Sequence, residues 1–150
     1  MEGSQRRGAH PITFNYRSEK SKIFGIVKRP VAKVYFKTEL DEWLPCFMYI
    51  DSGADFTLIP YKFGLMIGLK IEERMQEIYG VGGGIPVILK PTLMRINEIV
   101  LNVRIGWSMR EDVPFILGRL DVFQRFFVEF RENEETVIFR PITQVFMKSS

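Results

Sequence analysis

Short β-prone runs separated by Gly, Pro, Asn or Asp follow one another along the sequence, and they constrain its fold more than any other feature. Breaks at this spacing leave room for strands but not for long helices. The predicted strands are Val31 to Phe36, Cys46 to Ile50, Phe56 to Ile59, Gln76 to Tyr79, Pro86 to Leu89, Leu93 to Ile96, Val100 to Ile105, Val113 to Leu117, Phe127 to Arg131 and Thr136 to Phe139. We therefore expect an all-β domain whose strands form a closed or sandwiched core.

The first of these runs has the alternation that is typical of a half-buried strand. Ala32, Val34 and Phe36 fall on one face, and polar or amphipathic residues lie between them. The helix signal is confined to two short stretches, from Pro60 to about Ile67 and from Leu120 to Phe126. The sequence therefore predicts one or two short helices beside the strands.

Cysteine and histidine each occur once, as Cys46 and His10. A single cysteine forms no internal disulfide, so a reducing, cytoplasmic compartment is the simpler expectation. A single histidine excludes Ser-His-Asp and Cys-His catalysis within one chain, and it excludes zinc sites rich in His or Cys. The longest uncharged run, Ile78 to Leu89, has 12 residues and is too short to span a bilayer, so we expect no membrane partner. Carboxylates remain as the groups that can carry chemistry.

Positive charge is concentrated at the start of the chain. Residues 1–33 hold eight Lys or Arg and two Glu, whereas residues 34–150 hold 13 basic and 16 acidic residues. A basic arm can bind nucleic acid through phosphates, but the positive residues show no aromatic interleaving suited to base stacking, which favours a solvated tail. Residues 1–22 are predicted to be a flexible basic N-terminal segment, residues 23–140 the folded domain and residues 141–150 a C-terminal tail.

An acidic residue follows the second predicted strand. Asp51 is succeeded by Ser52 and Gly53, and the glycine permits a tight turn that leaves the carboxylate facing a cleft. The Ser52 hydroxyl can hydrogen-bond locally and hold that turn. A glycine-rich stretch, Val81 to Ile85, comes about 30 residues later, and Ile116 to Arg119 comes about 30 residues after that. The order of these three elements is more specific than any one of them.

This ordered set resembles the retroviral-type aspartic proteases, the retropepsin-like family, over about residues 23–140. The most specific part is Tyr49-Ile50-Asp51-Ser52-Gly53-Ala54-Asp55. The resemblance implies a retropepsin-like closed β domain with one lobe per chain, and it implies that Asp51 is the catalytic aspartate, with Ser52 completing its loop. The residues implied to bind substrate are Gly53, Ala54 and Asp55 beside the aspartate and Val81, Gly82, Gly83, Gly84 and Ile85 in a flap that folds over substrate.

The same resemblance assigns a role to the last element. Ile116-Leu117-Gly118 resembles the segment that packs beneath the active-site loop, and Arg119 would then pair with Asp55 and brace the subunit contact. In the flap, consecutive glycines accept positive φ and let backbone N–H groups approach a ligand. A phosphate-binding loop is disfavoured, because Pro86 leads into an apolar strand rather than a helix.

Hydrolysis of a peptide by carboxylates requires two of them that share one proton, one as a base toward water and one as an acid toward the carbonyl. The sequence has one Asp-Ser-Gly and no internal repeat, so the second Asp51 must come from an identical chain across a two-fold axis. We therefore expect an aspartic endopeptidase that cleaves peptide or protein substrates as an obligatory homodimer, most active at acidic to mildly acidic pH. This chemistry requires no metal and no organic cofactor.

Other interpretations stay open beside this one. The same fold can serve as a non-catalytic binding or scaffolding domain, in which Asp51 is a turn residue. Nucleic-acid binding through residues 1–33 is a further alternative. Among the other chemically active residues, Asp121 is predicted to be an acid at a helix N-terminus, and Cys46 a small core residue without a partner base.

Overall fold

The structure is a computed structural model of the 150-residue chain, and it describes residues 10–72, 77–79 and 84–142. Contacts group the chain into two compact units, one from Val31 to Val122 and one formed by the segments before and after it. No helix in the described ranges is both long and apolar enough to cross a membrane. The elements are β1 (Ile12–Asn15), β2 (Arg17–Ser21), β3 (Gly25–Arg29), β4 (Val31–Lys37), β5 (Trp43–Ile50), β6 (Thr57–Ile59), α1 (Tyr61–Met66), β7 (Glu77–Tyr79), β8 (Pro86–Ile96), β9 (Ile99–Ser108), β10 (Ile116–Leu117), β11 (Phe126–Arg131), a 3₁₀ turn (Glu132–Glu134) and β12 (Thr136–Pro141).

Six strands of the Val31 to Val122 unit close into a barrel. Neighbouring strands follow the order β4-β5-β10-β6-β9-β8, and β8 returns to β4 by placing Arg95 opposite Tyr35 and Met94 opposite Phe36. β7 pairs with the beginning of β8, outside this closed ring. The all-β closed architecture confirms the predicted fold class.

The barrel interior is filled from alternating strand positions. Ala32, Val34 and Phe36 of β4 are fully buried, which confirms the alternation predicted for this strand. Other fully or almost fully buried side chains come from the neighbouring strands, namely Met48, Ile59, Met94, Ile96, Leu101, Val103, Ile105, Trp107 and Leu117. Closure of the sheet therefore encloses one apolar core.

The helix α1 packs against the barrel through Trp107. The indole Nε1 of Trp107 donates to the carbonyl oxygen of Tyr61 at 2.9 Å, and the two rings stack with centroids 5.5 Å apart. A Cβ atom on Gly64 would lie 2.1 Å from Trp107 Nε1, so no larger residue fits there. This helix confirms the one predicted from Pro60 onward.

The second predicted helix, from Leu120 to Phe126, is wrong: turns occupy residues 120–124. Asp121 has a φ of 63°, in the left-handed region that interrupts a right-handed helix. Its carboxylate accepts a hydrogen bond from the backbone N–H of Arg104 on β9. The helical spacing of apolar residues was thus overridden by a contact with a strand that lies earlier in the chain.

The unit formed by the two ends of the chain contains the sheet β1-β12-β11 and the separate hairpin β2-β3. Phe139 is fully buried in it and is contacted edge-on by the rings of Phe14, Phe123 and Phe126. Tyr16 is also buried, and this burial, with a hydrogen bond to Glu132, raises its pKa to about 12. The predicted hairpin of β11 and β12 is confirmed.

Strands β1 and β2 lie within residues 1–22, where the sequence predicted a flexible segment. β1 pairs with β12, so that Ile12 lies opposite Phe139 and Asn15 opposite Thr136. Within β1, half-buried Ile12 and Phe14 alternate with exposed Thr13 and Asn15, a period-two strand signal that the prediction of a flexible segment overlooked. The identity of the partner strand has no local signal, because the ladder joins backbone groups more than 100 positions apart. The domain boundaries themselves stay a prediction.

Candidate active site

The topology of the barrel places Asp51 beside Gly118. β10 lies between β5 and β6, parallel to the first and antiparallel to the second, with Leu117 opposite Ile50. Because parallel strands end at the same edge of a sheet, the residues that follow β5 and β10 meet there. The backbone N–H of Asp51 donates to the carbonyl oxygen of Leu117 at 3.0 Å. The structure thus joins two elements that are separated by more than 60 residues in the sequence.

The loop from Asp51 to Ala54 turns around its own carboxylate. The backbone N–H of Gly53 donates to Asp51 Oδ1 at 2.9 Å, and that of Ala54 donates to the Asp51 carbonyl oxygen at 3.2 Å. A Cβ atom on Gly53 would lie 3.3 Å from Asp51 Oδ1, which explains why a small residue follows Ser52. Asp51 is exposed in the single chain, so its carboxylate faces solvent at the end of β5. The predicted hydrogen bond of the Ser52 hydroxyl stays a prediction.

Thr57 and Gly118 form the buried support of this loop. The backbone N–H of Gly118 donates to Thr57 Oγ1 at 3.1 Å, and Thr57 is fully buried. A Cβ atom on Gly118 would lie 2.2 Å from the carbonyl oxygen of Phe56, a backbone atom that has no room to move. Position 118 therefore requires glycine. Sequence reasoning missed Thr57, although a hydroxyl residue within the apolar run from Phe56 to Ile59 signals a buried hydrogen bond.

Arg119 and Asp55 extend the contact to the exposed side of the loop. The backbone N–H groups of Arg119 and Leu120 donate to the carbonyl oxygens of Ala54 and Asp55 at 3.0 and 2.9 Å. The Arg119 guanidinium donates through Nη2 to Asp55 Oδ1. Both side chains are exposed, Asp55 by 80%. This is the pairing that the resemblance implies, while its role between subunits stays a prediction.

The acids on either side of the Ile-Leu-Gly element are both paired with arginines. Arg104 donates through Nε and Nη2 to the carboxylate of Asp121 at 2.9 and 3.0 Å, and this hydrogen bonding lowers the pKa of Asp121. Arg110 binds Asp112 in the same two-bond manner and lowers its pKa. Asp121 is therefore an ion-paired turn residue and not the helix acid that the sequence predicted.

Only part of the predicted flap lies in the described ranges. β7 and β8 are antiparallel neighbours, so the glycine run joins the two strands of a hairpin. Val81, Gly82 and Gly83 lie outside the described residues. Gly84 has a φ of 86° with open space around it, as expected of a glycine in the left-handed region. Ile85 is half-buried and packs on the cluster of Phe56, Leu58, Val87 and Val113.

The remaining candidate for chemistry is the single cysteine. Cys46 is buried in β5, and this burial raises the pKa of its thiol to about 12. The thiol therefore stays protonated near neutral pH and is a poor nucleophile. Within residues 10–72, 77–79 and 84–142, no group of three or more His, Cys, Asp or Glu side chains is arranged to hold a metal ion.

Two solved structures that are similar to this fold are proteases. A retropepsin-like aspartic protease from Rickettsia conorii is 10% identical, with a TM-score of 0.60 over 87% of this chain and 91% of the other. The EIAV protease, solved with the inhibitor HBY-793, is 23% identical, with a TM-score of 0.50 over 65% of this chain and 86% of the other. No family model matches the sequence, and a search of the curated proteins finds no match. At these identities the likeness concerns the fold, and the fold is retropepsin-like.

Proposed function

We propose that the chain is a member of the retropepsin-like aspartic protease family and acts as an endopeptidase on extended peptides or proteins. Asp51 supplies one catalytic carboxylate, and a second Asp51 comes from an identical chain. Gly53, Ala54 and Asp55 would bind the substrate backbone beside it. Residues 81–85 would form the flap that covers the substrate and excludes water.

One observation supports this proposal most directly. In a retropepsin-like fold, the exposed Asp51 follows β5 on a loop that packs against the buried Gly118 at the end of β10. A glycine and a buried threonine fix the loop from below, so the carboxylate has a defined position at the surface. Pre-positioning of this kind is what catalysis requires, because a reacting group must be held within a fraction of an ångström.

The reaction uses the two carboxylates in different protonation states. The ionised Asp51 takes a proton from the attacking water, while the protonated Asp51 of the other chain donates to the carbonyl oxygen of the scissile bond. Two adjacent carboxylates do not ionise together, so the pair shares one proton and works best at acidic to mildly acidic pH. Gly118 and Thr57 would hold the geometry during this exchange.

A homodimer follows from the chemistry. Each chain offers one Asp-Ser-Gly, so the second carboxylate of the pair would come from another copy of the chain. We further propose a cytoplasmic location, because one buried cysteine fits a reducing compartment.

The direct test is cleavage of a peptide library between pH 4 and 7 by wild type and Asp51→Asn. The matched control is Asp41→Asn, since Asp41 is exposed in the same unit and its φ of 65° suits asparagine. We expect activity in wild type and the control and its loss in Asp51→Asn. Equal cleavage by all three proteins would reject Asp51 as the catalytic group, and no cleavage by any of them would leave the non-catalytic binding domain as the better interpretation.

Mixing the two proteins tests the shared site separately. Wild type and Asp51→Asn, refolded together in equal amounts, give dimers of which about a quarter carry two aspartates. Activity per total protein should therefore fall to about a quarter of the wild-type value. A fall to about one half would mean that each chain works alone, and it would reject the dimer while leaving proteolysis in place.

A further inference from the structure

The hairpin of β2 and β3 carries a group of exposed apolar side chains that the proposed active site does not use. Its two strands pair with each other and form a sheet of their own. Ile23 and Phe24 lie in the turn and Ile26 on β3, with exposed fractions of 82%, 76% and 68%. We call these three residues the apolar tip. They lie within four consecutive positions of one hairpin, 23 to 26, so they form one patch rather than scattered exposures.

The hairpin presents the tip in a fixed conformation. The Ser21 hydroxyl oxygen accepts hydrogen bonds from the backbone N–H groups of Ile23 and Phe24, both at 3.2 Å. Gly25 closes the turn with a φ of 76°. The apolar side chains are therefore held outward by local structure, which lowers the entropy that their binding would cost.

Lysines flank the apolar tip, and the base of the hairpin differs from the tip in its charges. At the base, Glu19 binds Arg17 and Arg29, and Glu135 binds Lys28. At the tip, Lys20 and Lys22 are exposed, and no acidic residue lies between positions 20 and 26. Lys20 is opposite Ile26 in the strand register, so these two side chains share one face. An apolar patch flanked by lysines is the result.

A second hairpin in the same chain has the opposite charge and serves as an internal comparison. In the turn between β4 and β5, Leu40 is 76% exposed. The Thr38 hydroxyl oxygen accepts hydrogen bonds from the backbone N–H groups of Leu40 and Glu42, as the Ser21 hydroxyl does in the first hairpin. The neighbours of Leu40 are Glu39, Asp41 and Glu42. Exposure of an apolar residue at a turn is therefore common to both hairpins. Lys37 also flanks the Leu40 turn, but it binds Asp41 at 2.9 Å and stands among three acidic residues, so an excess of positive charge distinguishes the first hairpin.

We propose that the apolar tip inserts into the interfacial region of an anionic lipid bilayer, while Lys20 and Lys22 bind the headgroups. Apolar side chains at a basic tip gain from both burial among acyl chains and attraction to negative lipids. Lysine stems can lie along the apolar region with their ammonium groups at headgroup level. This is peripheral attachment through a turn. Such attachment requires no long apolar run, so the shortness of the apolar runs in this sequence does not argue against it.

The test is co-sedimentation of the full chain with vesicles of phosphatidylcholine, with and without phosphatidylserine. Wild type should bind the anionic vesicles, and added salt should weaken this binding. Lys20→Gln with Lys22→Gln should lower the partition coefficient by roughly fivefold per lysine. The pair Ile23→Ser and Phe24→Ser should abolish binding, and the matched control Leu40→Ser should bind as wild type does. All these positions are exposed, and unchanged unfolding midpoints will show that the variants fold.

Insertion and surface contact are separated by a Phe24→Trp variant. Its added tryptophan should shift its fluorescence to shorter wavelength with anionic vesicles and not with neutral ones. Absence of wild-type binding, or equal binding by the tip variants, would overturn the proposal. A change in sedimentation of the tip variants without vesicles would assign the tip to a second copy of the chain, and binding to a single-stranded oligonucleotide instead of vesicles would assign it to nucleic acid. Each of these outcomes is independent of peptide cleavage.

Discussion

The Asp51 loop is held from two sides that differ in burial. Below it, the Gly118 N–H binds the fully buried Thr57 hydroxyl, and Gly118 itself lies against the backbone of Phe56. At its rim, the contacts are ion pairs between exposed side chains, Arg119 with Asp55. A second ion pair, in which Arg104 binds the largely covered Asp121, holds the turn that follows. The buried groups below the loop are out of reach of water, whereas water can replace either charged partner of an ion pair at the rim.

The difference in burial indicates which contacts determine the conformation of the site. A buried donor that loses its acceptor has no water to turn to, and a backbone contact has no room to relax. Exposed charges are hydrated whether or not they pair, so their loss changes stability little. The conformation of the loop should therefore depend mainly on Thr57 and Gly118, and the exposed ion pairs should contribute little to its stability.

The largest expected effect is that of Gly118→Ala. The new methyl group would lie 2.2 Å from a backbone oxygen, so β10 must move away from β6, at a cost of about 3 kcal/mol or more in the free energy of unfolding. Urea unfolding measures this cost. Gly25→Ala is the control, because it meets open space and adds only the strain of a positive φ, about 1 kcal/mol. Equal costs for both variants would contradict the close approach.

Thr57→Val should come next. Valine keeps the volume but removes the hydroxyl, which leaves the Gly118 N–H buried without its acceptor, and we expect a loss of about 2 kcal/mol. Thr57→Ser keeps the hydroxyl and should lose about 1 kcal/mol from the missing methyl group. Urea midpoints compare the two. If serine proved more damaging than valine, packing rather than the hydrogen bond would hold Gly118.

Asp121→Asn should have a smaller effect that depends on pH. The pKa of Asp121 is lowered in the folded chain, so its ion pair contributes stability above the ordinary pKa of an aspartate, near 3.9, and loses it as the pH falls through the lower folded value. Wild type should exceed Asp121→Asn by about 0.5 kcal/mol at neutral pH, and the two should converge below about pH 4. Unfolding midpoints from pH 7 to pH 3 measure this difference. A constant gap across that range would remove the ion pair as its cause.

The smallest effect on stability should be that of Arg119→Gln, about 0.2 kcal/mol. The backbone hydrogen bonds of Arg119 and Leu120 to the loop do not need the guanidinium and should persist. If Arg119 also braces the proposed dimer, sedimentation velocity should reveal weaker association without weaker folding. The control Arg110→Gln, which breaks another exposed pair, should change neither measurement. A large fall in the unfolding midpoint of Arg119→Gln would show that the exposed ion pair contributes substantially to the stability of the loop.

Some features were predictable because they depend only on residues that are neighbours in the sequence. The β4 alternation of Ala32, Val34 and Phe36 specifies a buried face, and Asp51 with Gly53 specifies an acid on a tight turn. Other features were missed for equally local reasons. Pro91 suggested a break between two strands, yet it lies within the continuous β8, opposite Arg104. A proline usually marks a strand end because it cannot donate to the ladder, but a neighbour on one side alone can accommodate it.

Neighbouring residues along the chain specify the all-β class and the tight turn that Gly53 permits after Asp51. Each of these follows from a period of two or from the freedom of a residue without Cβ, and both are properties of a few neighbouring positions. Tertiary packing places β10 between β5 and β6, Thr57 beside Gly118 and β1 beside β12, and no neighbouring residues specify these contacts. These contacts join residues far apart in the chain, and backbone hydrogen bonds between distant strands become specific only after the barrel and the sheet have closed.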